Sequence, residues 1–516
     1  MKTATLILLA LITTLTVCNT SGYAQTQAES MAVRSADAYQ KSLVRYEAQS
    51  CIQDLRRLET VLKDAHPCLY CFADSLTLHG AFAAAITGLE TIQGESGNGQ
   101  VTENEFLGTV RRLIALVQDG HLYAEANESL VNYVAERGRF FPLSLAIESG
   151  AAFISADYSA SLDSSASGSE LLAVNGVKTA DILAKMLPML TADADLEKAK
   201  WRQLENVFTF DILYWSLYEP TDTFQITYRT ADGLEHSERI RAVAGSTINL
   251  ANADAGASRR LVIDKANATA YLDINTFYSA ESKRENATYE RFLADAFRQM
   301  KRDRVENLVI DLRDNPGGLV HNAYKLFSYV SPVNVESRVM VKSSRFLKEQ
   351  KQSSFIESML KKISRKSYAA RLDKAPFGSL VEVSSKQHFI KKNSTKFTGK
   401  TYVLANGATF SAASMFVKLC KDYGAGVITG EENAACQSVS FGDLVDFRMP
   451  NTGVKVYLST SIVNREDDLE KRSVQPDISL VRNVREDAKG KDSVLTQLLT
   501  IVHKSAPANS VARYGK

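Results

Sequence analysis

The stretch Asn307-Leu-Val-Ile-Asp-Leu-Arg-Asp-Asn-Pro-Gly-Gly318 constrains the fold more than any other part of the chain. Its charge-free run, Leu308 to Ile310, reads as a buried strand. The strand leads straight into a Pro-Gly-Gly turn and then an apolar, helix-compatible segment. Two successive glycines at a strand end permit positive φ and leave backbone N–H groups uncovered by side chains. Such a corner can cradle an anion or an oxyanion. It can equally be a tight turn in an α/β domain, and the rest of the chain must decide between the two.

The surroundings of this stretch alternate strands with helices. Ala270 to Ile274, Leu308 to Leu312, Thr401 to Ala405 and Val427 with Ile428 read as strands. Tyr289 to Met300, Val320 to Val330 and Ser411 to Tyr423 read as helices. That order predicts an α/β core with helices packed on a mostly parallel sheet, over residues 256–485. A hairpin is expected around Asn451-Thr-Gly453. The basic segment 343–396 interrupts the pattern and reads as a helical cap or lid, and an amphipathic helix closes the chain within residues 486–516. Residues 25–137 carry helix-spaced apolar residues, with Thr102 as a cap before Glu103. Between them, residues 138–255 are rich in short strands. There Glu170 to Val174, the Asn175-Gly176 turn and a helix from Val177 resemble a PDZ domain, with Leu196 to Trp215 as a helical insertion.

A chain of 516 residues with 45% hydrophobic and 23% charged residues has ample material for several cores. A net charge of +2 leaves no electrostatic footprint for nucleic acid. Lys2, the apolar run Leu6 to Val17 and the small residues ending at Ala24 describe a secretory signal peptide over residues 1–24. The alternative of a lipoprotein attached through Cys18 is disfavoured by the bulk of Val17 before it. No later stretch is long and apolar enough to span a membrane. Export permits disulfides, and Cys51 can pair with Cys68 or Cys71 because all three fall in one region, while Cys68-Leu-Tyr-Cys71 itself reads as a structural disulfide or as buried thiols.

No two of the seven histidines share a metal-ligand spacing, and Cys-x-x-Cys occurs once, so neither a metal nor another cofactor is expected. A nucleophile is a better prospect. Thr401-Tyr-Val-Leu-Ala-Asn-Gly-Ala-Thr-Phe-Ser411 runs from a buried strand through a glycine turn to a helix start. A serine there lies in the positive field of the helix N-terminus, and the N–H of Ala412 can donate to an oxyanion. Ser411 or Thr409 can also do no more than cap that helix.

Taken together, the "DLRDNPGG" and "VLANGATFSAASMF" segments resemble the serine peptidase family of C-terminal processing peptidases and the tricorn core protease. "DAHPCLY", "LVQDGH" and "EKRSVQPD" are similar to an exported bacterial, tricorn-like branch. The resemblance implies a ClpP/crotonase-like core in which the two strands lie side by side. It places the nucleophile on Ser411 and oxyanion donors on Gly317 or Gly318 with Ala412. Processing peptidases activate their serine with a lysine, but here Cys436 or Gln437 stands in that place. Tricorn-like members use a histidine and a later glutamate, which implies His121 as base and Glu470 as its helper, with Gly120 where tricorn has a serine. His321, one turn past Gly318, is the rival base. Arg313, Asp314 and Asn406 are expected to brace the two turns.

The resulting expectation is an exported serine endopeptidase acting on peptide or protein substrates through an acyl-enzyme. Two other classes remain: a catalytically inactive peptide-binding protein on the same scaffold, and a crotonase-like acyl-transfer enzyme. For the latter, no coenzyme A site is legible. Oligomeric state is not legible either.

Overall fold

The computed structural model describes residues 43–95, 99–126, 138–218, 221–252, 259–278, 283–331, 333, 335–350, 371–372, 374–388, 395–463 and 468–504. The expected signal peptide lies outside these residues. No helix among them is long and apolar enough to cross a membrane.

The central sheet is built as the alternation of strands and helices requires. Strand Asn307–Asp311 is buried at all five positions. It pairs in parallel with Thr269–Ile274 on one side and Lys400–Ala405 on the other. Val427–Gly430 and Ile478–Ser479 extend the sheet in parallel, while Arg259–Asp264 closes the opposite edge antiparallel. Helices Lys283–Arg302, Val320–Val330 and Ala412–Asp422 cover one face, through a core that includes Phe297, Phe327 and Phe416. Helix Ser493–Lys504 covers the other through Val494, Leu498 and Val502. The closing helix is thus part of the core rather than a separate tail.

A second sheet joins the N-terminal region to this core. Its strands run Leu380–His388, Val335–Lys342, Lys455–Val463 and Ser440–Arg448, with Tyr123–Glu125 added antiparallel to Lys455–Tyr457. The segment expected to be a helical lid is therefore partly strand. Helix Arg345–Gln350 is present, but Leu380–His388 forms a long hairpin with Val335–Lys342. Its alternation of Val, Glu, Val, Ser and Lys fits an edge strand, a pattern hidden among basic residues.

Helices Ala48–Ala65, Ser75–Glu95 and Glu103–Ala115 make up the N-terminal part. The third opens on a capping box between Thr102 and Glu105, which satisfies two exposed N–H groups at once. The first buries its apolar stripe against Val445, Phe447 and Leu458 of the second sheet. Buried Asp54 accepts four hydrogen bonds from Asn451 and Thr452 at the hairpin turn. These contacts fix the helical region on the sheet, and with it the loop that carries His121.

Residues 140–243 form a separate antiparallel sheet, Leu143–Glu148, Ala151–Asp157, Glu170–Val174, Thr223–Arg229 and Glu235–Arg241, with Val177–Lys178 against the third. Helices Thr179–Met186, Glu197–Leu204 and Val207–Leu217 pack with it around Phe141, Tyr214 and Phe224. Cys68 and Cys71 form a disulfide, whereas Cys51, the other suggested partner, is a buried free thiol whose pKa burial raises to about 12.

Candidate active site

Parallel pairing of Asn307–Asp311 with Lys400–Ala405 brings the Asn-Pro-Gly-Gly turn and the Asn406–Ser411 turn together at the carboxyl ends of adjacent strands. Side chains tie the turns to each other. Asn406 and Asp314 exchange two hydrogen bonds, from Asp314 N at 3.0 Å and from Asn406 Nδ2 at 2.9 Å. Thr409 Oγ1, fully buried, donates to Leu312 O at 2.7 Å. Asn315, also fully buried, takes the Phe410 N–H on its carbonyl and donates from Nδ2 to Ile274 O. Arg313 bonds Asp311 and Asp492 and so ties the strand end to the start of the closing helix. The expected bracing residues all brace.

Ser411 precedes helix Ala412–Asp422 with φ 52 and ψ −124. That backbone is strained for a residue with a Cβ, and such strain persists only where the surroundings impose it. Gly317 explains part of the imposition: a Cβ there would lie 2.7 Å from Ser411 Cβ and 2.8 Å from Ala412 N. The two backbones touch, and only glycine allows it.

The expected donors separate at this point. The Gly317 N–H already donates to Asn315 Oδ1 at 2.8 Å, so it is not available to a ligand, because the buried asparagine closes the turn on itself. Gly318 N–H has no partner among the described residues. Ala412, as the first residue of its helix, has no acceptor within it. Exposed Tyr278, Leu319 and Val320 flank this corner with apolar surface.

The two expected histidines separate as well. His121 Nε2 lies 3.1 Å from Ser411 Oγ. Its ring packs against Phe410, with centroids 4.4 Å apart. His321 is exposed and faces Glu290 at 3.5 Å, because it lies on the outer side of helix Val320–Val330. Glu470 is not brought to the imidazole either: its carboxylate bonds Gln437 and Arg472 at the surface. Its backbone carbonyl instead accepts from Ser438 Oγ and Cys436 Sγ, which knits two loops.

The carboxylates facing His121 are others. Asp119 Oδ1 stands 3.7 Å from Nδ1, an ion-pair distance, and takes the His121 backbone N–H at 2.8 Å. Asp193 accepts from Gly120 N at 2.7 Å, and Asp443 adds its charge. A Cβ at residue 120 would lie 2.9 Å from Phe410 Cζ and 3.1 Å from Asp193 Oδ1, so any side chain there would press on the ring that packs against His121. Burial disfavours a charged imidazole, but Asp119, Asp193 and Asp443 outweigh it and hold the His121 pKa above 6.5. Burial opposes ionisation of Asp119 too, yet its His121 and His66 contacts keep its pKa well below the usual carboxylate range. Asp193 is pushed the other way, to about 7, by burial and by Asp119. Of these acids, Asp119 was within reach of sequence reasoning, since it stands in the same Asp-Gly-His motif. Asp193 and Asp443 carry no local signal.

Residues 268–480 match the profile of peptidase family S41. A structure of mature CPAF complexed with lactacystin is similar over 89% of this chain and 98% of that one, at 16% identity and a TM-score of 0.59. A CPAF point mutant is similar over the same shares, 89% and 98%, at 15% identity and a TM-score of 0.62. A sequence search of curated proteins finds no match. The chain is a serine-type peptidase. Its residues 268–480 are a peptidase family S41 region.

Proposed function

We propose that the protein is an exported endopeptidase in which Ser411 is the nucleophile, His121 the general base and Asp119 the carboxylate that orients the base. The contact between Ser411 Oγ and His121 Nε2, 3.1 Å across 290 positions of sequence, carries this reading. His121 takes the Ser411 proton as Oγ attacks the peptide carbonyl. The oxyanion is held by the N–H groups of Gly318 and Ala412. Collapse of the tetrahedral intermediate passes the proton from His121 to the leaving amine and leaves an acyl-enzyme. Water, deprotonated by the same imidazole, then releases the acid and restores Ser411. No cofactor enters any step. Export rests on the leader that ends at Ala24. The strand-rich residues 138–255 are read as a PDZ-like domain that offers a peptide a sheet edge.

Ser411→Ala and His121→Ala test the assignment with a fluorogenic peptide mixture and a fluorophosphonate probe. Both variants are expected to lose turnover, and Ser411→Ala to lose labelling. Wild-type protein that binds peptide without cleaving it would replace this reading with that of an inactive binding scaffold, and variants that cleave as well as wild type would overturn the assignment of Ser411 and His121.

A further inference from the structure

We propose that His66 is a positioning residue for hydrolysis: through a hydrogen bond from Nε2 it holds the Asp119 carboxylate against the His121 imidazole. The inference rests on His121 being the base. His66 and Asp119 are both fully buried, and Nε2 lies 3.0 Å from Asp119 Oδ2. The other ring nitrogen accepts the Cys68 backbone N–H at 3.3 Å. Nδ1 therefore carries no proton, and the ring hydrogen sits on Nε2, aimed at the carboxylate.

The ring is itself held from several sides. Lys342 Nζ, from the second sheet, donates to the carbonyls of His66 and Lys63 at 3.1 and 2.8 Å. The Cys68–Cys71 disulfide closes the turn that supplies the N–H to Nδ1. Phe441 packs on the imidazole with centroids 5.2 Å apart. Asp119 is thus divided between two tasks, Oδ2 on His66 and Oδ1 on the His121 side. Without the His66 donor, Oδ2 loses its partner in a buried site, and the carboxylate turns to find another. His121 then loses the charge that orients its ring and stabilises its protonated form during attack. The chain is linear in space: His66, Asp119, His121, Ser411.

The test uses full-length His66→Ala, His66→Gln and His66→Asn, alongside Ser411→Ala and His121→Ala, with one fluorogenic peptide that the wild type cleaves. Glutamine carries an amide N–H to the place of Nε2, whereas asparagine reaches only as far as Nδ1. Alanine and asparagine are expected to lower kcat on the order of tenfold to a hundredfold with KM unchanged, less than loss of the base itself. Glutamine is expected to restore most of that loss, which a merely space-filling role does not predict. Should the alanine variant fail to fold, glutamine against asparagine decides. Equal kcat in those two overturns the proposal. If Ser411→Ala and His121→Ala keep turnover, it is the base assignment that fails, separately from the effect of His66.

Discussion

In the proposed mechanism His121 is the general base, which works only when unprotonated, so its raised pKa has a kinetic consequence. The acid limb of kcat/KM is expected above 6.5, with activity rising as pH rises through it. Asp119, Asp193 and Asp443 all face this imidazole, and Asp443→Asn removes one charge without strain, since Asp443 sits at φ 50, which asparagine tolerates. The limb is expected to move to lower pH in that variant; a move to higher pH in matched buffers would contradict the electrostatic account. Asp193 predicts an effect on stability of opposite sign to an ordinary ion pair. Its pKa rises from 3.8 to about 7 on folding, so the folded state binds the extra proton between those values. Stability from this group therefore falls as pH rises through that window. Asp193→Asn abolishes the dependence, and its melting temperature minus that of wild type should grow between about pH 4 and about pH 8. Calorimetry showing a constant difference would refute this. At this scale the proposed site residues Ser411, His121, Gly318 and Ala412 were legible in the sequence, because each belongs to a motif whose chemistry is local. Glu470 failed because its motif resemblance said nothing of where the carboxylate points, and here Gln437 and Arg472 take it.

Among the elements, the meeting of two turns matters most, and Gly317 is its narrowest point. At φ 96, with Ser411 Cβ and Ala412 N inside 3 Å of any Cβ, alanine must push the Asn315–Gly318 turn away from the nucleophile. Gly317→Ala is expected to cost about 1–3 kcal/mol in strain. It should also lower kcat on the order of a hundredfold or more by displacing the neighbouring oxyanion donors. Urea denaturation and steady-state rates check the two separately, and near-wild-type kcat would mean that the turns are less tightly coupled than their contact implies. These elements were legible because the strands are charge-free runs that end in Gly-containing turns, and because Thr102 and Glu105 spell out a cap. The Val335–Lys342 and Leu380–His388 hairpin was not legible as such. Its partners are separated by a long basic segment, and an edge strand with polar alternation has little local signal. Strand Arg259–Asp264 shares that difficulty, with alternate residues exposed on the sheet edge.

The whole molecule depends on contacts that no local pattern could foretell, and Arg202 is the clearest. It lies on a helix of the strand-rich middle region, yet its guanidinium bonds Glu148, Glu205 and the Ile147 carbonyl there and Glu431 of the core. Its aliphatic stem packs within 3.0 Å of where a Gly407 Cβ would stand, on the turn leading to Ser411. Arg482 joins the same cluster from the core through Glu148 and Glu205. The middle region also supplies Asp193 to the His121 loop, with Ala194 N bonded to Gln118 O at 2.9 Å. The contacts that dock this region thus also bring Asp193 to the site. In Arg202→Met, Arg482 still serves Glu148 and Glu205, but Glu431 keeps only the Gly407 N–H at 3.3 Å. An uncompensated, largely buried carboxylate typically costs about 3–5 kcal/mol when its partner is removed. The expected outcome is a lower first unfolding transition, in which the middle region leaves the core, together with reduced kcat. Adding Glu431→Gln removes the orphaned charge and should recover part of both losses, because the two residues then act as one coupled pair. If the double variant is as impaired as the sum of the two single changes, the cluster does not fasten the regions together, and the site must draw its support from the N-terminal helices and the second sheet alone.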